Sequence, residues 1–379
     1  MSGRLLEHRV RDFRNLARVE VELCEGLNVL LGANGQGKTS FLESIYFLST
    51  QRALRGSRLV ELVRIGAERS EIQAKVVGEL TSHLTLKVQA GRRQALIGEK
   101  AERSLSRWSS LLPVIAFTPD DLAVAKGGPA ERRQWLDRAV FARRPSHLEA
   151  IRRYRRAVAS RNRLLRDAKP GLEHALASFD PVVAQAGAEV IQGRRQVTDE
   201  LTLPMVRILE TIVGTKVEAA MVYRSTAEEG QEPSRAAAEL EGRLMEALRR
   251  HRAEDRARRR TCVGPHVDEI ELSLHGRPLR TYGSQGQQRS VVLALKIAEI
   301  ENLQERAGVT PLLLLDDISS ELDPERNAHL LDYLQRFPGQ ALLTTTDLSH
   351  LSPARLSGAR IFQVEEGRVE PRAEGGNPS

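Results

Sequence analysis

Gly32-Ala33-Asn34-Gly35-Gln36-Gly37-Lys38-Thr39 satisfies the pattern G-x-x-x-x-G-K-[ST], whose residue types suit the holding of nucleotide phosphates. Gly32, Gly35 and Gly37 allow the backbone to curl until its N–H groups surround phosphate oxygens with no Cβ in the way. The Lys38 cation is expected at the β- and γ-phosphates of ATP, and the Thr39 hydroxyl is expected to ligate magnesium, Mg2+. Ala33, Asn34 and Gln36 complete the ATP-binding set through their backbone. A glycine-rich turn can also arise by chance, so the flanking elements matter. Leu27 to Leu31 reads as a short apolar strand, and Phe41, Leu42, Ile45, Tyr46 and Leu48 recur at helical spacing from Thr39. Strand, loop and helix follow in the order that such a phosphate loop requires.

A phosphate loop needs a carboxylate for its metal. Leu312 to Leu315 reads as a buried strand that ends in Asp316-Asp317. Asp316 is the expected partner of magnesium, and Asp317 is placed to orient or deprotonate an attacking water. A second anion site is suggested by Ser284-Gln285-Gly286-Gln287, which opens a helix carrying Val291, Val292, Leu295 and Ile297. Ser284 and the amides around Gly286 would set donors and a helix dipole at a phosphate, although a plain helix cap reads the same way.

Around these motifs the chain alternates between two grammars. Val19-Val21-Leu23, Ile72-Ala74-Val76 and Leu84-Leu86-Val88 alternate as half-buried strands, the later ones an antiparallel sheet beside the first. Pro113 to Phe117 is another strand. From Pro129 to about Arg260 the pattern turns helical and rich in Arg, Glu and Ala, broken near Lys169-Pro170-Gly171 and by a possible strand at Lys216 to Tyr223. Within it Leu201 to Leu209 and Leu240 to Leu248 could form helices that pack together, but sustained heptads are missing. Strands return at Ile270-Leu272-Leu274, Ala341 to Thr345 and Ile361 to Val364.

With 379 residues and 41% hydrophobic content the chain can build a sizeable core in two domains, or in one with a large insertion. Met1 to Arg9 is charged where a signal peptide is apolar, and no run reaches membrane-spanning length, so a cytoplasmic location without a membrane partner is expected. Cys24 and Cys262 lie far apart and read as buried free thiols. A formal charge of +7 makes a polyanionic partner plausible. Arginine concentrates between Arg132 and Lys169, with Arg152, Arg153, Arg155 and Arg156 at its centre. That run is either a solvated helix face or a surface for DNA phosphates. At 4% aromatic content no base-stacking groove is visible.

Several short strings follow one another along the chain. They are Phe13-Arg14-Asn15, Gly32 to Thr39, Phe117-Thr118-Pro119-Asp120-Asp121-Leu122 and Lys126-Gly127-Gly128-Pro129-Ala130-Glu131-Arg132-Arg133. They continue with Gly264-Pro265-His266-Val267-Asp268, Ser284 to Gln287, Asp316-Asp317 and Ser320-Glu321-Leu322-Asp323. Their joint order resembles the RecF family, within the wider group of RecN-type and structural-maintenance-of-chromosomes ATPases.

The resemblance implies an α/β fold, a P-loop ATP-binding-cassette-type ATPase head with an inserted helical lobe and no long coiled coil. The head would comprise 1–125 and 262–370, the inserted lobe 126–261, and 371–379 a disordered tail. Two heads would sandwich two ATP molecules, the Ser284 loop of one chain touching the γ-phosphate held by Lys38 of the other. Asp323 would lie at the dimer interface and Arg14 and Asn15 near the nucleotide. Asp317 stands where most cassettes have Glu, and Thr346 where the switch His commonly sits; both departures are RecF-like, and the shorter Asp implies slow hydrolysis. The function implied is an ATP-dependent DNA-binding switch of recombinational repair and replication restart, supporting the SOS response. Its implied partners are RecR, acting with RecO, and the recombinase RecA. A transporter ATPase subunit is the alternative from another class, disfavoured by the long insertion between phosphate loop and signature. A chromosome-organising head is a third, disfavoured by chain length.

Overall fold

The computed structural model describes residues 3–54, 58–317, 324–349, 351, 356 and 358–372. The chain folds as two compact units, Met1–Asp120 with Leu303–Ser379, and Asp121–Asn302.

The first unit contains two six-stranded sheets. One is antiparallel throughout, in the order Leu16–Glu22, Arg4–Phe13, Arg69–Val77, Thr81–Gln89, Arg92–Ile97, Lys100–Ala101. Its strands alternate buried and exposed side chains, as expected where one face meets a core. The other runs Arg368–Pro371, Arg360–Glu365, Leu27–Leu31, Ala341–Thr345, Leu312–Leu315, Val114–Phe117, parallel except for the first pair. All four leucines of Leu312–Leu315 are buried, the continuous apolar pattern of a strand covered on both faces.

The helix Lys38–Thr50 touches strands of both sheets. It is buried nearly all round, with Phe41, Leu42, Ile45, Phe47 and Leu48 fully inaccessible, so it is a central rather than a surface helix. Burying each such side chain contributes roughly 1.5–3 kcal/mol. Trp108 closes its end by donating its indole N–H to Leu48 O at 2.5 Å.

The second unit is mainly helical. Pro129–Arg143, His147–Asp167 and Ala237–Arg250 pack on Leu172–Val213, a 42-residue helix that starts after Gly171, ends at Gly214 and contains Pro181 and Pro204. A side chain at Gly187 would meet Leu244 at 2.4 Å, so glycine there permits the close approach of Ala237–Arg250. A three-stranded sheet orders Arg277–Pro278, Glu269–Leu274 and Ala219–Arg224.

The division differs from the sequence-based one at 121–125 and, more extensively, at 262–302, which fall in the helical unit. The reason is strand pairing: Glu269–Leu274 joins Ala219–Arg224 in an antiparallel ladder rather than either sheet of the first unit. The tail boundary also moves, because Pro371 ends a paired strand; 373–379 lie outside the described residues. Cys24 and Cys262 are half-buried rather than buried. Among the described residues no helix is long and apolar enough to cross a membrane.

Candidate nucleotide-binding site

The loop from Gly32 to Gly37 connects a central strand to the central helix, so its ends are held by two largely buried elements of the unit. Lys38 folds back across it, donating from Nζ to the carbonyls of Gly32 at 2.6 Å and Ala33 at 2.9 Å. Burial lowers the Lys38 pKa, and the charges of Asp317 and Asp316 oppose that shift.

Strand Leu312–Leu315 brings Asp316 to the start of the same helix. Thr39 Oγ1 donates to Asp316 Oδ1 at 2.9 Å, and Thr344 Oγ1 donates to the same oxygen at 3.1 Å. Asp317, in the left-handed region at φ 49°, donates its backbone N–H to Thr344 Oγ1 at 2.7 Å. Thr344 thus ties the two acidic residues to the neighbouring strand, a role not legible in the sequence. A hydroxyl and a carboxylate side by side form the hard oxygen pair that magnesium prefers.

Arg14 and Asn15 make the tight turn between Arg4–Phe13 and Leu16–Glu22. The Arg14 guanidinium forks onto the buried Glu43 carboxylate at 2.9 and 3.1 Å and donates to Glu61 O at 2.9 Å. Glu43 was another residue not anticipated; its signal was a lone carboxylate inside an apolar helix. A cavity of about 880 Å3 lies over the loop. Arg14, Asn15, Asn34, Gly35, Gly37, Lys38, Thr39, Asp316 and Asp317 line it, opposite Glu61, Val63, Arg64 and Ile65. Gly32, Ala33 and Gln36 do not line it, and the Glu61 to Ile65 wall was not anticipated either.

The remaining candidates lie in the second unit, with one exception. Ser284 caps the helix Gln285–Ala307: Gln287 N–H donates to Ser284 Oγ at 3.2 Å while Ser284 N–H donates to Gln287 Oε1 at 2.8 Å. This reciprocal box leaves Ser284, Gln285 and Gln287 exposed, with Gly286 half-buried. Asp323 lies outside the described residues, as do Ser320, Glu321 and Leu322.

The arginine run separates into two populations. Arg132 is buried against Glu269, and Arg161 is buried between Asp180 and Asp255. Arg152, Arg153, Arg155 and Arg156 point outward from His147–Asp167. Arg153 pairs with Glu189, whereas Arg152 and Arg155 form no ion pair among the described residues.

His266 and Asp268 belong to a buried polar hub. Asp268 accepts from Tyr223 at 2.5 Å and from Thr226, and His266 Nδ1 meets the Tyr154 hydroxyl at 2.6 Å. Their shared role is to join the ends of several helices and strands.

The profile of the RecF/RecN/SMC N terminal domain family matches residues 5–370. "DNA replication and repair protein RecF" of Anaeromyxobacter sp. (strain Fw109-5) is 46% identical over 370 residues, covering 97% of this chain and 99% of that one. The chain belongs to the RecF family. A second RecF, from Myxococcus xanthus (strain DK1622), is 42% identical and covers 99% of both chains. A solved structure of "the recombination mediator protein RecF-ATPrS in RecFOR pathway" superposes with a TM-score of 0.90 at 29% identity, covering 98% of this chain and 99% of that one. An Smc head domain from Pyrococcus furiosus, at 15% identity and TM-score 0.55 over 98% of this chain and 96% of that one, shares the fold. The RecF fold is thus a P-loop ATPase head of the cassette type with a large helical insertion.

Proposed function

We propose that the chain is an ATP-dependent DNA-binding switch of recombinational repair and replication restart. The observation that carries this is the convergence of Lys38, Thr39, Asp316 and Asp317 on one cavity, in a chain 46% identical along nearly its whole length to a DNA replication and repair protein. The backbone amides of Gly32 to Thr39 and the N-terminus of the following helix bind the phosphates, with Lys38 as their cation. Thr39 and Asp316 would hold magnesium, which would supply positive charge against the phosphates of ATP. Asp317 orients the attacking water and receives its proton. An Asp reaches less far than a Glu, so turnover is slow and the ATP-bound state persists.

In this reading two chains close around two ATP molecules. The Ser284 hydroxyl and the amides beside Gly286 approach the γ-phosphate held by the partner's Lys38. Exposed Arg152, Arg155 and Arg156 supply phosphate contacts to DNA, with Arg153 able to exchange Glu189 for a DNA phosphate. The RecFOR pathway named for a solved relative supports RecR, with RecO, as partners. In this reading the chain helps load RecA at gaps, in the cytoplasm. Binding to gapped, duplex and single-stranded DNA, measured with ATP and with ADP, tests the switch. Tighter binding with ATP is expected; equal affinity with both nucleotides would remove it.

A further inference from the structure

The hairpin at the far end of the chain grips the phosphate loop. Strands Arg360–Glu365 and Arg368–Pro371 are joined by Glu366 and Gly367, whose φ values of 48° and 78° are the paired positive angles of a type I′ turn. This turn sits over the loop because Arg360–Glu365 runs parallel to Leu27–Leu31, the strand that enters it. Glu366 N–H donates to Gln36 Oε1 at 2.7 Å, and Gly367 N–H donates to Gln36 O at 2.9 Å. Both ends of Gln36, backbone and side chain, are therefore held by one turn.

Steric fit tightens the same contact. A Cβ on Gly367 would lie 2.4 Å from Asn15 O, and one on Gly32 would lie 2.3 Å from Val364 O. A Cβ on Gly37 would lie 3.0 Å from the Asn15 amide. The loop is thus packed between the hairpin and the Arg14-Asn15 turn, and three of these positions admit no larger residue without movement.

We infer that the Glu366-Gly367 turn is a positioning clamp: it fixes Gln36, and through it aims the amides of the phosphate loop, so that the site is formed before nucleotide arrives. Gln36 lies outside the cavity lining, so its carbonyl and side chain serve the clamp while its neighbours Gly35 and Gly37 face the cavity. Releasing the clamp leaves the loop residues in place but restores their freedom, and nucleotide binding must then restrict them again. The cost falls on affinity. This inference rests on the reading of Gly32 to Thr39 as an ATP phosphate loop.

Two variants test it. Gln36→Met keeps length and flexibility but removes the side-chain acceptor, and Gly367→Ala opposes both the positive φ and the contact with Asn15. ATP titration should show Kd raised about tenfold in Gln36→Met, the size of effect that one hydrogen bond commands, and more in Gly367→Ala. The loss should appear in KM rather than kcat, amide exchange across Ala33 to Gly37 should accelerate, and the melting temperature of nucleotide-free Gln36→Met should stay at the wild-type value. Wild-type protein that bound no ATP would overturn the phosphate-loop reading and the clamp together. Wild-type binding with unchanged Kd and exchange in soluble, folded Gln36→Met would overturn the clamp alone.

Discussion

At the scale of single residues, Lys38 and Asp316 are held in place by neutral groups. Lys38 is anchored by two carbonyls, and Asp316 by two hydroxyls. Lys38→Met removes the cation that reaches back across the loop, and with it charge-assisted hydrogen bonds worth roughly 1.5–3 kcal/mol each. ATP binding should fall at least a hundredfold while the fold survives; calorimetric titration showing wild-type affinity would refute the role of Lys38. His8 offers a second test. It lies buried beneath the phosphate-loop helix, its Nε2 meeting Ser44 Oγ at 2.7 Å while its buried Nδ1 has no partner among the described residues. Burial lowers its pKa to about 3, so the unfolded chain binds a proton below pH 6.5 that the folded chain refuses. Stability from His8 is therefore complete well above pH 6.5 and is lost as pH falls toward 3, by on the order of 1 kcal/mol at pH 5.5. Urea unfolding at pH 7.5 and 5.5 should show a smaller drop in His8→Gln than in wild type. Equal drops would mean that His8 is accessible.

At the scale of elements, one helix carries both a structural and a surface population of arginines. The face of His147–Asp167 bearing Tyr154, Arg161 and Leu165 is buried, whereas Arg152, Arg153, Arg155 and Arg156 occupy the opposite side. Reversing these four to Glu spares the buried pairs and should leave the helical unit folded. If they meet phosphates, DNA affinity should drop and the slope of log Kd against log salt should flatten by up to about one unit per lost contact. ATP affinity should not change. An unaltered slope would assign the run to solvation alone. Arg161 differs in kind: its loss would take the guanidinium away from the buried Asp255, while Asp180 would keep Arg252 at 2.6 Å.

At the scale of the whole molecule, the proposed switch depends on two chains sharing ATP. The Ser284 hydroxyl accepts a hydrogen bond from Gln287 within its own helix cap and keeps its proton for a further acceptor. A γ-phosphate is such an acceptor and ADP lacks it, so the dimer should form with ATP and dissolve after hydrolysis. Ser284→Arg should block the interface while each chain still binds ATP; Asp317→Asn should bind ATP, hydrolyse it poorly and hold the dimer. Sedimentation with ATP and magnesium should separate the two as monomer and persistent dimer. A normal dimer of Ser284→Arg would exclude the shared site.

The sequence by itself determined the parts of the protein that are contiguous along the chain. Gly32 to Thr39 is readable because eight successive residues build the loop, and Asp316 because four leucines mark a buried strand that must end somewhere. Helices such as Lys38–Thr50 and the meander from Arg69 to Ile97 are readable because their periods report local exposure. Only the tertiary structure decided which distant groups meet. Gln36 and Glu366 are 330 positions apart, Arg14 finds Glu43 across a sheet edge, and Arg132 and Arg161 look like their exposed neighbours until Glu269, Asp180 and Asp255 arrive beside them. Residues 262–302 joined the helical unit for the same reason, since a strand's pattern states which face is buried but not which neighbour it pairs with. Local periodicity is set by solvent on either side of an element; partnership is set by how the chain closes on itself, and no short window of sequence contains that information.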